Sequence, residues 1–217
     1  MQVAVVIPAQ ETNKYHIEGD LAPFGDTTLL EWKISQCIEC FETTDIFITT
    51  DSFKVHSIAE EVGINVLLRE KNISYSGMIL NTIKKIDAEH IMWINPTSPF
   101  INSIEYKKMI DAYILNCNKY DSLVTTSMKK DFIYYNDSKL NFDKHTLGRS
   151  SITPVYLATN GVYINSKKNI LENNELIGNK PLFYNLDFLE SLEIKDTQTY
   201  SILRELISLY FIKELDV

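Results

Sequence analysis

The sequence predicts an α/β fold, a single doubly wound domain around a mostly parallel sheet, on three observations. Short apolar runs suited to buried strands alternate with stretches whose apolar residues recur at three-and-four spacing. No internal repeat or low-complexity linker divides the chain. Its 217 residues are 45% hydrophobic and 23% charged, the balance of one globular core, and the expected domain spans 1–217.

Taken in order, a strand over 3–8 opens into a long polar loop and a helix over 29–40. Strands over 46–50, 65–68 and 90–95 are each followed by a helix, over 53–62, 78–86 and 104–117, and a fifth strand covers 122–126. Such alternation implies right-handed crossovers, with ligands at the carboxyl ends of the strands. After Met128 the pattern changes: extended runs over 132–135 and 139–142 flank Asn136-Asp137-Ser138, which predicts a β-hairpin inside an insertion at about 129–157. An extended run over 157–164, a short strand near 183–186 and a last helix over 197–213 complete the chain.

A net charge of -8 without long runs of like sign excludes a general nucleic-acid or anionic-membrane surface. No apolar stretch reaches the roughly 20 residues of a membrane span, and the start MQVAVVIPAQ lacks a signal-peptide pattern, so a cytoplasmic protein is expected. Cys37 and Cys40 form a C-x-x-C inside a helical pattern, with Cys117 apart and His16, His56, His90 and His145 scattered; buried, inert thiols are the expectation.

The stretch VVIPAQETNKYHIEGDLAPFGDTTLLEW is a strand, a polar loop and a helix start, a junction that can present backbone N–H groups to an anion. It is neither G-x-G-x-x-G nor a Walker motif, and a plain surface loop fits it as well. In Asn95-Pro96-Thr97-Ser98-Pro99, two prolines fix the backbone while Thr97 and Ser98 offer hydroxyls to a sugar or ribose. The alternative is a helix start capped by Ser103.

These segments resemble the CMP-sugar synthetases, the acylneuraminate and KDO cytidylyltransferases, with their nucleotide-diphospho-sugar transferase-like fold. Ile7, Pro8, Ala9, Lys14, Leu21, Pro23, Gly25, Leu29 and Trp32 match the opening motif without a gap. Thr49-Thr50-Asp51 resembles the family's S-T-D, Asn95 to Pro99 its Q-P-T-S-P, Arg149 to Tyr156 its R-Q-x-L-P-x-x-Y, and Asn160-Gly161 with Tyr163 its N-G-x-x-Y, one residue short. The resemblance implies a nucleotidyltransferase that moves CMP from CTP to a keto-sugar acid with release of pyrophosphate, uses Mg2+ and forms a homodimer through the insertion. It implies nucleotide contacts at Ala9, Gln10, Lys14 and Asp20, and acceptor contacts at Asn95, Thr97, Ser98 and Arg149. Catalytic roles fall to Lys14 and Glu193, and metal ligation to Glu193 and Asp196.

The chain departs from the family at charged positions. Gln10 stands for an Arg, Glu11 and Thr12 for flexible glycines, Gly19 for a Lys, and Asp20 for an Asn. Where the family has D-I-D-T, with two carboxylates on one side of a strand, this chain has Glu193 and Lys195; a one-residue shift offers Asp196 instead. Two functional expectations follow: an active transferase, of the family's specificity or a shifted one, and a catalytically impaired homologue that binds a sugar, a nucleotide or a partner enzyme. The pocket is expected at the carboxyl ends of the first and fourth strands, lined by Ala9, Gln10, Lys14, Thr97, Ser98 and Glu193.

Overall fold

The computed structural model describes residues 2–145 and 148–215, with side chains of the last helix up to residue 208. The run VAVVIP is apolar at every position, so it needs cover on both faces, and it becomes the central strand β1 (Val3–Pro8). It pairs in parallel with β4 (Ile46–Thr50) on one side and β6 (His90–Ile94) on the other; β5 (Asn65–Leu68) extends the first side to an edge. Beyond β6 the order continues through β10 (Val155–Ser166), β7 (Ser122–Lys129) and β11 (Pro181–Asn185), so the described residues form a seven-stranded sheet. The chain reverses its direction of sheet-building at β1, which opens a crevice at that strand's carboxyl end.

The two sides of β1 divide the core. Val5 and Ile7 pack with α1 (Leu29–Ile38), α2 (Phe53–Val62) and α4 (Ser103–Asn116), whereas Ala4 and Val6 pack with α3 (Tyr75–Lys84) and α5 (Lys167–Asn173). A third cluster joins α6 (Thr197–Leu215) to the polar loop: Tyr200, Leu203 and Ile207 meet Tyr15, Phe24, Phe100 and Ile194. Each such side chain contributes about 1.5–3 kcal/mol on full burial.

The expected strands over 3–8, 46–50 and 65–68 and the helix over 53–62 lie at their expected bounds. Other limits move for local reasons. Ser74 caps α3 by accepting from Gly77 N, so that helix starts at Tyr75. Asn102, not Ser103, caps α4 through Oδ1 and Glu105 N, while Ser103 Oγ donates to Glu39. The helix α5 and a short pair formed by β2 (Pro23–Phe24) and β3 (Thr27–Thr28) were not legible.

Strand β10 runs antiparallel to both β6 and β7, with a register shift between Ala158 and Tyr163. In the insertion, β8 (Tyr134–Tyr135) and β9 (Ser138–Lys139) make the hairpin, with Asn136 and Asp137 at φ 47° and 61° in its turn. Flanking it, Phe132 and Phe142 meet edge to face at 4.9 Å, and Asn141 donates to the carbonyls of Asp131 and Thr153. The C-x-x-C thiols behave as expected of packing groups. Burial pushes Cys37 up to about 12 and half-buried Cys40 up to about 11, far from reactive thiolates.

One buried phenol ties α6 to the polar loop: Tyr200 Oη donates to Pro23 O at 2.6 Å. Tyr200→Phe should cost about 1 kcal/mol, the usual net worth of such a bond. Urea unfolding should show a lower midpoint and an unchanged slope; an unchanged midpoint would mean that the packing alone holds α6.

Candidate active site

Beyond Pro8 the loop is closed at its neck by one carboxylate. Asp20 Oδ2 accepts from Gln10 N at 2.7 Å, Asp20 N donates to Gln10 O at 2.9 Å, and Tyr15 Oη donates to Asp20 Oδ1 at 2.5 Å. Burial raises Asp20 to about 6, although the Tyr15 and Gln10 bonds oppose it, and burial with the adjacent Asp20 pushes the Tyr15 hydroxyl far above its ordinary range. Both Asp20 oxygens are thus engaged within the loop. Gly19 beside it has φ +50°, and a Cβ there would lie 2.4 Å from Gln10 O. A lysine at position 19, which the resemblance implies, does not fit this backbone.

Arg69 supports the neck from below. Nη1 donates to Thr49 O at 2.8 Å, Nη2 donates to Ala9 O at 3.2 Å and lies 3.7 Å from Asp51, and only 5% of the side chain is exposed. Sequence reading missed this residue; its signal is a single cation placed directly after the third strand, in LLRE. Ala9 is fully buried under the loop, and Lys14 is exposed at its tip.

At the end of β6, Asn95 Nδ2 donates to Asn160 O at 2.7 Å and Oδ1 at 3.0 Å, and Tyr163 Oη donates to the same Asn160 Oδ1 at 2.9 Å. Ile194 N donates to Thr97 O at 2.8 Å, which brings Glu193 beside the turn that carries Thr97 and buried Ser98. Thr97 Oγ1 is buried and has no hydrogen-bond partner among the described residues.

Glu193, 14% exposed, pairs with Lys195 at 3.5 Å. Asp196 starts α6: its Oδ1 accepts from Thr199 N at 2.8 Å and Oγ1 at 2.9 Å. Those bonds hold it below the ordinary carboxylate range, and Lys14 on the loop adds to the effect. As a metal site this donor set does not fit. Glu193 is tied to a cation, Asp196 to a cap, and no three His, Cys, Asp or Glu side chains come together among the described residues. Arg149 lies on a short turn of the insertion, 78% exposed and 3.5 Å from Asp131, outside the cleft described next.

A cavity of about 510 Å³ opens at the carboxyl ends of β1, β4 and β5, lined in part by Gln10, Glu11, Asp51, Arg69, Lys71 and Tyr75. Of the six residues expected to line the pocket, Gln10 alone does so, because the closed neck buries Ala9 and the docked residues 193–196 meet Thr97 further along the sheet. The cavity's charges are largely paired. Glu11 lies 2.8 Å from Lys54 and accepts from Ser52 Oγ at 2.7 Å, while Asp51 faces Arg69.

Comparison with known proteins gives a match between residues 5–200 and the family model described as Cytidylyltransferase. The chain is 26% identical over 215 residues to an N-acylneuraminate cytidylyltransferase of Escherichia coli, covering 93% of this chain and 51% of the relative, so it spans about half that protein's length. It is 22% identical over 227 residues to a CMP-N,N'-diacetyllegionaminic acid synthase of Legionella pneumophila, covering 96% of this chain and 97% of the relative. Among solved structures, a CMP:2-keto-3-deoxy-manno-octonic acid synthetase complexed with CTP superposes with a TM-score of 0.72 at 10% identity, over 96% of this chain and 99% of the other. A 4-diphosphocytidyl-2C-methyl-D-erythritol synthase from Anaerococcus prevotii gives a TM-score of 0.70 at 16% identity, over 95% and 98%. At these identities the structural matches show the fold.

The closed neck generates two expectations. Gly19→Lys should destabilise the protein, because the side chain meets backbone at its own Cβ; thermal melting and nucleotide titration should show a lower Tm and no gain in affinity. Asp20 has a folded pKa of about 6 against an ordinary 3.8, so the folded state binds more protons across that window. The stabilising difference is present at low pH and is lost as pH rises through about 6. Wild type minus Asp20→Asn stability should fall between these pH values; a flat difference would show that Asp20 does not titrate there.

Proposed function

Because the chain belongs to the cytidylyltransferase family, we propose that it transfers CMP from CTP to a keto-sugar acid, with turnover held down by the charges its site has lost. In this reaction an acceptor hydroxyl oxygen attacks the α-phosphorus, a new P–O bond forms, the bond to the β-phosphate bridging oxygen breaks, and pyrophosphate leaves while the hydroxyl proton passes to solvent. The observation that carries the reading is convergence: the loop after β1, the turn after β6 and residues 193–196 meet at the carboxyl-end side of the central strands, linked by Ile194 N to Thr97 O and by Tyr15 of the loop stacked on Tyr200 of α6.

In this reading the nucleotide lies in the cavity beside Gln10, Arg69 and Lys71, and the acceptor lies toward Thr97 and Ser98. Lys14 is the cation left at the loop tip. Mg2+ enters with CTP as part of the substrate, since Glu193 is tied to Lys195 and Asp196 caps α6. CTP is a cytoplasmic metabolite, which agrees with the expected location, and among the described residues no helix is long and apolar enough to cross a membrane. The chain works as one domain. It pairs with a second copy through the insertion, where Phe132, Tyr134, Tyr135 and Leu140 stay exposed. A monomeric mass at micromolar concentration would sink that assembly.

A second reading, binding without turnover, is favoured by the paired charges in the cavity, since a triphosphate near four negative charges needs free cations. Pyrophosphate release with CTP and a panel of eight- and nine-carbon keto-sugar acids separates the two. Lys195→Asp combined with Gln10→Arg should raise release by ~10-fold or more, because single charged contacts to a transferring phosphoryl group often matter by ~100-fold. Robust wild-type release that the double substitution abolishes would make Lys195 a working part of the site and overturn the impaired reading.

A further inference from the structure

Beneath the turn after β6 lies a lysine without a carboxylate partner among the described residues. Lys33, on the inner face of α1, is fully buried. Its Nζ donates to Gln36 Oε1 at 2.6 Å, Tyr106 Oη at 2.7 Å, Ser98 O at 2.9 Å and Ile101 O at 3.3 Å. From the same helix, Trp32 Nε1 and Gln36 Nε2 both donate to Pro99 O, at 2.7 and 2.9 Å. A buried ammonium is costly, and an apolar residue of similar volume fills core space without that cost. What the ammonium supplies instead is direction, because its N–H groups must be met by oxygens at fixed angles, and two of those oxygens belong to the turn.

We infer that Lys33 is a positioning residue: its ammonium fixes the carbonyls of Ser98 and Ile101 and so orients Thr97, Ser98 and the docked Glu193 toward an acceptor hydroxyl. The acceptor's identity rests on the proposed transferase reading; the positioning does not. Two observations tie the turn to ligand binding. Thr97 Oγ1 is buried without a partner, and Thr97 O receives Ile194 N, so any shift of the turn carries residues 193–196 with it.

The groups facing Lys33 are Gln36 and the Cys37 thiol from α1, the turn carbonyls, and the Tyr106 hydroxyl from α4. Desolvation pushes Lys33 down to about 7, against a small opposing pull from Cys37. Above that pH the amine keeps two protons for four oxygens, and the turn loosens. The global effect has the opposite sign. With a folded pKa below the unfolded one, the full cost of burying the charge is present below about 7 and shrinks as pH rises, so the protein gains stability while the turn loses order.

Amide hydrogen exchange, corrected for intrinsic pH dependence, tests this on the full chain. Lys33→Gln and the milder Tyr106→Phe should speed exchange at the amides of Thr97, Ser98, Phe100, Ile101 and Ile194 by about 10-fold, the equivalent of one hydrogen bond, and leave β1 unchanged. In wild type the same amides should exchange faster as pH rises through about 7, and in Lys33→Gln they should not. With active enzyme, the acceptor KM should rise about 10-fold in both variants while CTP affinity stays constant. If Lys33→Gln does not fold, Tyr106→Phe decides. Unaltered exchange at the turn in the folded variants overturns the assignment. Altered exchange with no wild-type turnover on any acceptor keeps it and removes the transferase reading instead.

Discussion

One buried charge, met only by neutral oxygens, sets the geometry from which the rest of the site can be traced. Lys33 holds the carbonyls of Ser98 and Ile101; the same turn offers Thr97 O to Ile194; residues 193–196 lead into α6. From α6, Tyr200 donates to Pro23 O and stacks on Tyr15 at 6.1 Å between ring centroids, and Tyr15 grips Asp20, which closes the loop on Gln10. The turn after β6 and the loop after β1 are therefore joined through one helix, although they sit at the ends of different strands.

What the sequence made legible follows from burial. Strands β1, β4 and β5 and helix α2 are simple apolar or amphipathic runs, and their limits were readable to the residue. Strand β10 was read short because it opens on residues that the sheet does not bury, Val155 to Ala158, and a register shift separates them from its buried part. The loop after β1, the turn after β6 and residues 193–196 were each found by motif order, and the structure brings all three to the carboxyl-end side of the central strands. Their partners were not readable. Lys33 in LLEWKISQC and Arg69 in LLRE carry no motif of their own, and Asp20 stands only as a replaced position, because a sequence lists a charge without saying which oxygen or amide it meets.

The replaced positions in the loop form one connected change. Asp20 can accept from Gln10 N and Tyr15 Oη only if the chain turns sharply just before it, and that turn needs the positive φ and missing side chain of Gly19. A lysine at position 19 would break the turn, so the cation lost there is bound up with the carboxylate gained at 20. Position 10 differs. Gln10 serves the neck through its backbone N and O, while its side chain only accepts one exposed contact from Asn13 at 3.3 Å. An arginine at 10 leaves every neck bond in place, and Lys195, 66% exposed, is likewise free of the fold's supports apart from its pairing with Glu193. The charges that the resemblance implies and this chain lacks thus fall into two kinds, one built into the loop's closure and one carried on side chains that the fold does not use, and only the second kind can be introduced without rebuilding the loop.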